Sequence, residues 1–176
     1  MMKNIIYLRG LLLLAFVLGC QQASAVGDPV GLNVTGNIVA SPCIVDTDTQ
    51  NKTVDFGKVS TTLLKDAAAG SEWQDFTLMV KDCPAATTKA KVTFSGNPDA
   101  EDDTAFDTTG TAQNLAIRLA SRDRATVYAN NSVVTVDVNA SAHTAEFPLS
   151  ARVFSPAGNP KPGVFESILN LTFTYQ

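Results

Sequence analysis

The strongest constraint on the fold is a strict alternation of apolar and polar residues near the C-terminus. Leu169, Leu171, Phe173 and Tyr175 are separated by single polar residues. Successive side chains of a β-strand point to opposite faces of a sheet, so this period of two predicts a strand with one apolar face. An amphipathic helix would instead repeat its apolar residues every three or four positions.

The same alternation recurs along the chain, and turn-forming residues separate the runs. Residues 96–99, 130–132 and 155–160 are rich in Gly, Pro, Asn and Ser, and only residues 61–69 have a helical composition. Seven or eight short strands at this spacing predict an all-β sandwich of immunoglobulin-like type. The other alternating runs are 30–34, 53–59, 76–80, 92–94, 115–119, 134–138 and 147–153.

The first 25 residues have the order of a secretory signal peptide. Lys3 and Arg9 precede an apolar run that is too short to span a bilayer, and small residues then lead to an A-x-A site. We expect cleavage before Val26. An alternative is a bacterial lipobox that ends at Cys20, which would be lipidated and would anchor the mature chain to a membrane.

Removal of residues 1–25 changes the charge and the cysteine count. The full chain has 17 acidic and 13 basic residues, and the loss of Lys3 and Arg9 leaves 11 bases and a net charge of −6. Such an acidic chain offers no basic patch for nucleic acid. Cys43 and Cys83 remain, and an even pair in an exported protein predicts a disulfide between them.

Two strand-like segments of the mature chain have no obvious partner. Residues 26–37 carry Val30, Leu32 and Val34 on one side, and no turn ties them to the residues that follow. The last alternating run ends one residue before the sequence does, so we expect no later strand to cover its far edge. An uncovered apolar edge invites pairing with another strand. The pattern indicates a domain that lacks one strand and carries a spare one.

Several short motifs follow one another in a characteristic order. They are VASPC at residues 39–43, VDFGKV at 54–59, DCP at 82–84, GTAQNL at 110–115 and TYQ at 174–176, with Gly163 fourteenth from the C-terminus. In this order and spacing the chain resembles the pilins of chaperone–usher fimbriae. It is most similar to the short adaptor subunits near the tip of type 1 fimbriae. The resemblance covers nearly the whole mature chain.

The resemblance implies that residues 38–176 form an incomplete immunoglobulin-like β-sandwich that lacks its last strand. It also implies a periplasmic chaperone that lends a strand during export, an outer-membrane usher, and neighbouring fimbrial subunits whose N-terminal extensions replace the chaperone strand. Residues 26–37 would be this chain's own donor-strand extension. The donor strand would comprise Val30, Gly31, Leu32 and Val34. The chaperone and groove edge would comprise Gly163, Leu169, Leu171, Phe173 and Tyr175.

Other candidate sites carry weaker signals. His143 lies in a predicted turn, and no G-x-S-x-G motif accompanies it, so we expect no catalytic residues. The acidic loop at residues 99–107 lacks the spacing and the glycine of an EF-hand, so we expect it to be solvated and to bind no metal. Trp73 is expected to be a core or rim residue, with a sugar platform as the alternative.

The sequence therefore predicts a structural subunit that is not an enzyme and needs no cofactor. Its predicted route leads through the periplasm to a fimbria on the cell surface. Two other functions remain as alternatives. One is a ligand-binding immunoglobulin-like lipoprotein of the periplasm or outer membrane, which lipidation of Cys20 would favour. The other is a one-domain sugar-binding adhesin.

Overall fold

The computed structural model describes residues 31–37 and 42–176. The chain divides into two units, Met1–Asn37 and Ile38–Gln176, which are described separately. In the first unit, residues 31–37 form no helix or strand, and all seven side chains are exposed. The predicted signal peptide, with Cys20, and the donor residue Val30 lie outside the described residues.

The second unit is built almost entirely of short β-strands. Its one α-helix, α1 (Thr47–Gln50), is a single turn capped by the Asp46 side chain, and Thr61–Leu64 forms a 3₁₀ turn. No helix in the described part of the chain is long and apolar enough to cross a membrane. The strands are β1 (Ile44–Val45), β2 (Ala69–Gly70), β3 (Gln74–Lys81), β4 (Lys89–Ser95), β5 (Phe106–Asp107), β6 (Thr109–Gly110), β7 (Ala116–Ser121), β8 (Val127–Tyr128), β9 (Val133–Asp137), β10 (Ala145–Ser155), β11 (Phe165–Glu166) and β12 (Asn170–Tyr175).

The strands form two main antiparallel sheets. In the larger sheet, β10 is central and pairs with β3 on one side and β7 on the other. β1 pairs with β3, β5 and β8 pair with β7, and β2 pairs with the end of β10. The smaller sheet has the order β12–β4–β9, and β6 and β11 form a separate two-stranded ribbon.

The two sheets enclose one apolar core, so the predicted all-β sandwich is confirmed. Phe147, Leu149 and Val153 enter it from β10, and Val92 and Phe94 enter it from β4. Each of these side chains is at most 1 % exposed. Full burial of such a side chain contributes about 1.5–3 kcal/mol to stability.

The alternation over residues 53–59 predicts a strand, and that prediction is wrong. Val54, Phe56 and Val59 do pack half-buried against the core. However, the segment has no hydrogen-bonded neighbour strand among the described residues, and Gly57 turns locally with a φ of +59°. The alternation therefore reflects burial of one face, whereas a strand also requires the backbone of a partner.

A disulfide joins Cys43 and Cys83, which is the pair expected from the cysteine count. Both residues are buried. The bond ties the residue before β1 to the loop after β3, and these two strands are themselves paired. An ion pair of 2.8 Å between Lys81 and Asp46 lies at the same end of the pair.

Candidate functional site

An open apolar groove of about 770 Å³ runs between two segments of the second unit. One wall is formed by residues 52–57, the segment that pairs with no strand. The other wall is formed by residues 163–169 and the beginning of β12. The floor consists of side chains of the sandwich core, namely Phe76, Leu78, Phe94, Ile117, Leu119 and Ala151.

The backbone of β12 offers unpaired hydrogen-bonding groups along the groove side. Gln176 and Lys89 exchange both backbone hydrogen bonds, each of 2.9 Å. Hydrogen-bonded and non-hydrogen-bonded pairs alternate in an antiparallel ladder, so Leu171, Phe173 and Tyr175 occupy the non-hydrogen-bonded positions opposite β4. Their N–H and C=O groups point away from β4. In the described part of the chain, β4 is the one strand that pairs with β12.

The second wall is held in place by close backbone packing at two glycines. The N–H groups of Thr111 and Ala112 donate to the carbonyl of Val164, at 2.9 and 3.0 Å. A Cβ on Gly163 would lie 2.4 Å from the Ala112 nitrogen, and one on Gly110 would lie 2.3 Å from the Val164 carbonyl oxygen. Glycine at these positions therefore allows the wall to approach the 110–112 backbone, and so fixes the width of the groove.

The structure brings most of the predicted edge residues together. Gly163, Leu169 and Leu171 line the groove. Phe173 and Tyr175 continue the same face of β12 and pack half-buried against the core. Burial raises the pKa of the Tyr175 hydroxyl above its usual value. Whether this edge contacts a chaperone stays a prediction.

The aromatic residues that close the groove were only partly foreseen. The rings of Phe56 and Phe165 lie 6.4 Å apart, one from each wall. Phe56 belongs to the alternating run at residues 53–59, so its inward direction was predictable. Phe165 lies on the two-residue strand β11, where no alternation signals it.

The residues considered for catalysis or metal binding have structural roles. Among the described residues, no group of three His, Cys, Asp or Glu side chains could hold a metal ion. His143 occupies an exposed turn, and its Nδ1 lies 2.9 Å from the Cys83 carbonyl oxygen. In the acidic loop, the Asp99 carboxylate accepts two backbone N–H bonds, from Glu101 and Asp102. These contacts shape turns.

Comparison with known proteins identifies this architecture. The model of the fimbrial protein family matches residues 32–176. The chain belongs to this family. FimG of Escherichia coli K12 is 34 % identical over 92 % of this chain and 94 % of FimG. The uncharacterized fimbrial-like protein YdeR of the same strain is 32 % identical over 84 % of this chain and 85 % of YdeR. The S-fimbrial adhesin protein SfaS of E. coli O6 is 29 % identical over 96 % and 98 %.

Solved structures share the fold. The P pilus rod subunit PapA has a TM-score of 0.64 at 21 % identity, and the alignment covers 77 % of this chain and all of PapA. A subunit in a chaperone–usher pilus also has a TM-score of 0.64 at 21 % identity, with 88 % of this chain covered. The immunoglobulin-like pilin fold is thus shown. The chain is a structural subunit of a chaperone–usher fimbria that assembles with neighbouring subunits, and it is not an enzyme.

Proposed function

We propose that the chain polymerises by donor-strand exchange, with the groove as acceptor for an extended strand of a neighbouring subunit. The observation that carries this proposal is the open edge of β12 beside an uncovered part of the core. A strand along that edge would pair with the free backbone groups of Leu171, Phe173 and Tyr175. Its alternate side chains would enter the groove and would remove the apolar floor from water.

The chain's own donor would be the segment at residues 26–37. Leu32 and Val34 are 87 % and 81 % exposed, so their apolar surface is available to a partner. They share one face of an extended strand, with Val30 as the expected third member of that face. A Cβ added at Gly31 would meet nothing within 4 Å in this chain. A requirement for glycine there would therefore come from the partner's groove.

Before assembly, the groove would be filled by a strand of a periplasmic chaperone, and an outer-membrane usher would exchange it for the donor of the next subunit. The predicted signal peptide at residues 1–25 supplies the route into the periplasm. An uncovered strand edge beside apolar surface is prone to aggregation, so a temporary partner has a clear physical purpose.

Within the fibre, we assign the chain to a minor or tip-adaptor position. The support is the match to FimG along nearly the full length of both chains. This finer assignment is separable from the donor-strand mechanism, because any subunit of the fibre would use the same groove. Immunogold labelling with an antibody to this chain tests it: label confined to fibre tips is expected, and label along the whole rod would exclude it.

A peptide experiment tests the donor-strand mechanism. A synthetic peptide of residues 26–37 is added to chaperone-bound subunits of the same fimbria, and chaperone release is followed by native gel electrophoresis. We expect the peptide to displace the chaperone and to remain bound to the subunit.

Two substituted peptides make the result specific. Leu32→Asp places a charge on the face that enters the groove, and we expect it to prevent binding because an unpaired charge is costly to bury. Asn33→Asp places the same charge on the opposite face and should bind nearly as well as the parent peptide. Equal behaviour of the two substituted peptides would contradict the mechanism.

A further inference from the structure

The outer face of the large sheet carries a cluster that the groove does not use. Arg152 on β10 and Arg118 on β7 are cross-strand partners. Both alternate with core residues along their strands, so their side chains lie on the face opposite the groove. Together with neighbouring side chains they form what we call the arginine patch, which comprises Trp73, Arg118, Arg124, Arg152 and Phe154.

Arg152 lies against aromatic rings but has no polar partner. Its guanidinium carbon is 4.7 Å from the centroid of the Trp73 ring and 5.6 Å from that of Phe154. A Cβ on Gly70 would lie 2.8 Å from the same carbon, so the guanidinium covers this glycine closely. The Arg152 Nε is buried without a hydrogen-bond partner in the described part of the chain. No carboxylate there lies within ion-pair distance of Arg152.

The neighbouring charges leave the patch with an excess of positive charge. Arg118 pairs with Asp102, yet its Nε is also buried without a partner among the described residues. Arg124 lies 3.9 Å from Asp75. Three guanidinium groups thus face two carboxylates in a chain whose net charge is −4. Burial first, and then repulsion by Arg118, lowers the pKa of Arg152. A bound anion would offset that repulsion and would hydrogen-bond the unused donors.

We infer that the arginine patch binds the carboxylate of an acidic saccharide, with Arg152 holding the carboxylate and Trp73 contacting the sugar ring. The planar fork of a guanidinium matches a carboxylate with two parallel hydrogen bonds. The half-exposed indole of Trp73 offers an apolar surface beside it. Because the patch lies on the face opposite the groove, a strand in the groove leaves it open.

A protein partner fits the patch less well than a saccharide does. Protein interfaces are anchored by apolar and aromatic side chains at their centre. The large hydrophobic residues that are exposed in the described part of the chain all lie outside the patch. The patch therefore offers an anchor for one charged group and one ring, which is the pattern of a sugar acid. This inference is independent of the donor-strand mechanism.

The test uses Trp73 as its own reporter, because it is the single tryptophan of the chain. A glucuronate-containing disaccharide is titrated into the purified exported chain while tryptophan fluorescence is measured. The matched neutral disaccharide, sodium acetate and a poly-glutamate peptide are titrated in parallel. We expect a saturable change with the glucuronate disaccharide, none with the neutral disaccharide, and much weaker binding of acetate and peptide.

Substitutions assign the effect to Arg152. Arg152→Gln should weaken binding about tenfold or more, because a charge-assisted hydrogen bond is lost. Arg152→Lys keeps the charge but lacks the fork, so it should restore only part of the affinity. Lys91→Gln removes one charge from the outer face of the smaller sheet and should change affinity less than twofold. Thermal unfolding curves of the variants verify that each is folded.

Four outcomes would overturn the inference. The first is the absence of a saturable change with the glucuronate disaccharide. Equal binding of the neutral and acidic disaccharides would remove the role of the carboxylate. Acetate binding as tight as that of the disaccharide would reduce the patch to a simple anion site. Tighter binding of poly-glutamate would indicate a protein partner.

Discussion

The rings of Phe147 and Phe173 pack edge to face with their centroids 5.7 Å apart, and so join the central strand of the large sheet to the last strand of the small one. Phe147 is fully buried, whereas Phe173 is half-buried on the strand whose outer edge is open. Core packing and the open edge therefore meet at Phe173, which makes it the most informative position on β12.

Phe173→Asp should abolish co-purification of the chain with its periplasmic chaperone. The carboxylate would be buried beneath a paired strand without a partner, at a cost of several kcal/mol. Thr172→Asp is the matched control, because Thr172 is exposed on the other face of β12 and should keep the interaction. Affinity purification through a tag on the chaperone measures both variants. Retention of the Phe173→Asp variant would show that the chaperone contacts another surface.

Gly163→Ala should destabilise the domain and weaken strand binding in the groove. The added Cβ would lie 2.4 Å from the Ala112 nitrogen and 2.6 Å from the Thr111 carbonyl carbon, so the backbone of the groove wall must move. Such overpacking costs about 1–3 kcal/mol. Gly36→Ala adds a methyl group where nothing lies within 4 Å and should leave the thermal unfolding midpoint unchanged. Equal midpoints for the two variants would refute the packing role of Gly163.

Cys43→Ser should sharply lower the yield of exported protein. Loss of the disulfide to Cys83 removes a bond that closes a separation of 40 residues and costs about 2–5 kcal/mol. A domain with one open edge has little stability to spare. The periplasmic yield can be compared with that of the parent chain by immunoblotting, with Cys83→Ser expected to behave alike. A normal yield of either variant would show that the bond is dispensable for folding.

The alternation in the sequence predicted those parts of the fold in which burial and strand pairing coincide. In β10 and β12, alternate side chains enter the core, and both strands are paired, so the period of two gave the right structure. Residues 53–59 have the same alternation but no partner backbone, so the strand was not formed. The pattern of side chains records which face is buried, and it carries no information about a missing neighbour.

The groove and the arginine patch depend on contacts that sequence patterns do not encode. Gly163 was singled out by resemblance alone, and its physical reason is the approach of Thr111 and Ala112, some fifty residues earlier in the chain. Arg152 interrupts an apolar strand, and its contact with Trp73 arises from tertiary packing. Such non-local approaches could only be found in the structure.

Deletion of residues 26–35 should separate a fibre subunit from an ordinary β-domain. If these residues donate a strand to a neighbour, the truncated chain should retain the bond between Cys43 and Cys83, should bind chaperone as the parent does, and should still accept a donor peptide. It should fail to attach to the subunit ahead of it. Burial of Val30, Leu32 and Val34 in that subunit would contribute at most about 1.5–3 kcal/mol each, opposed by the entropy lost when the strand is ordered.

The deletion is best measured by incorporation of the truncated chain into fimbriae, with circular dichroism of its chaperone complex as the folding control. Unchanged spectra and absent incorporation are the expected result. The restored chain with Leu32→Asp should fail in the same way, while Asn33→Asp should assemble, because its charge points away from the groove. Should the truncated chain unfold even with chaperone present, the extension would belong to its own core, and donation to a neighbour would be excluded.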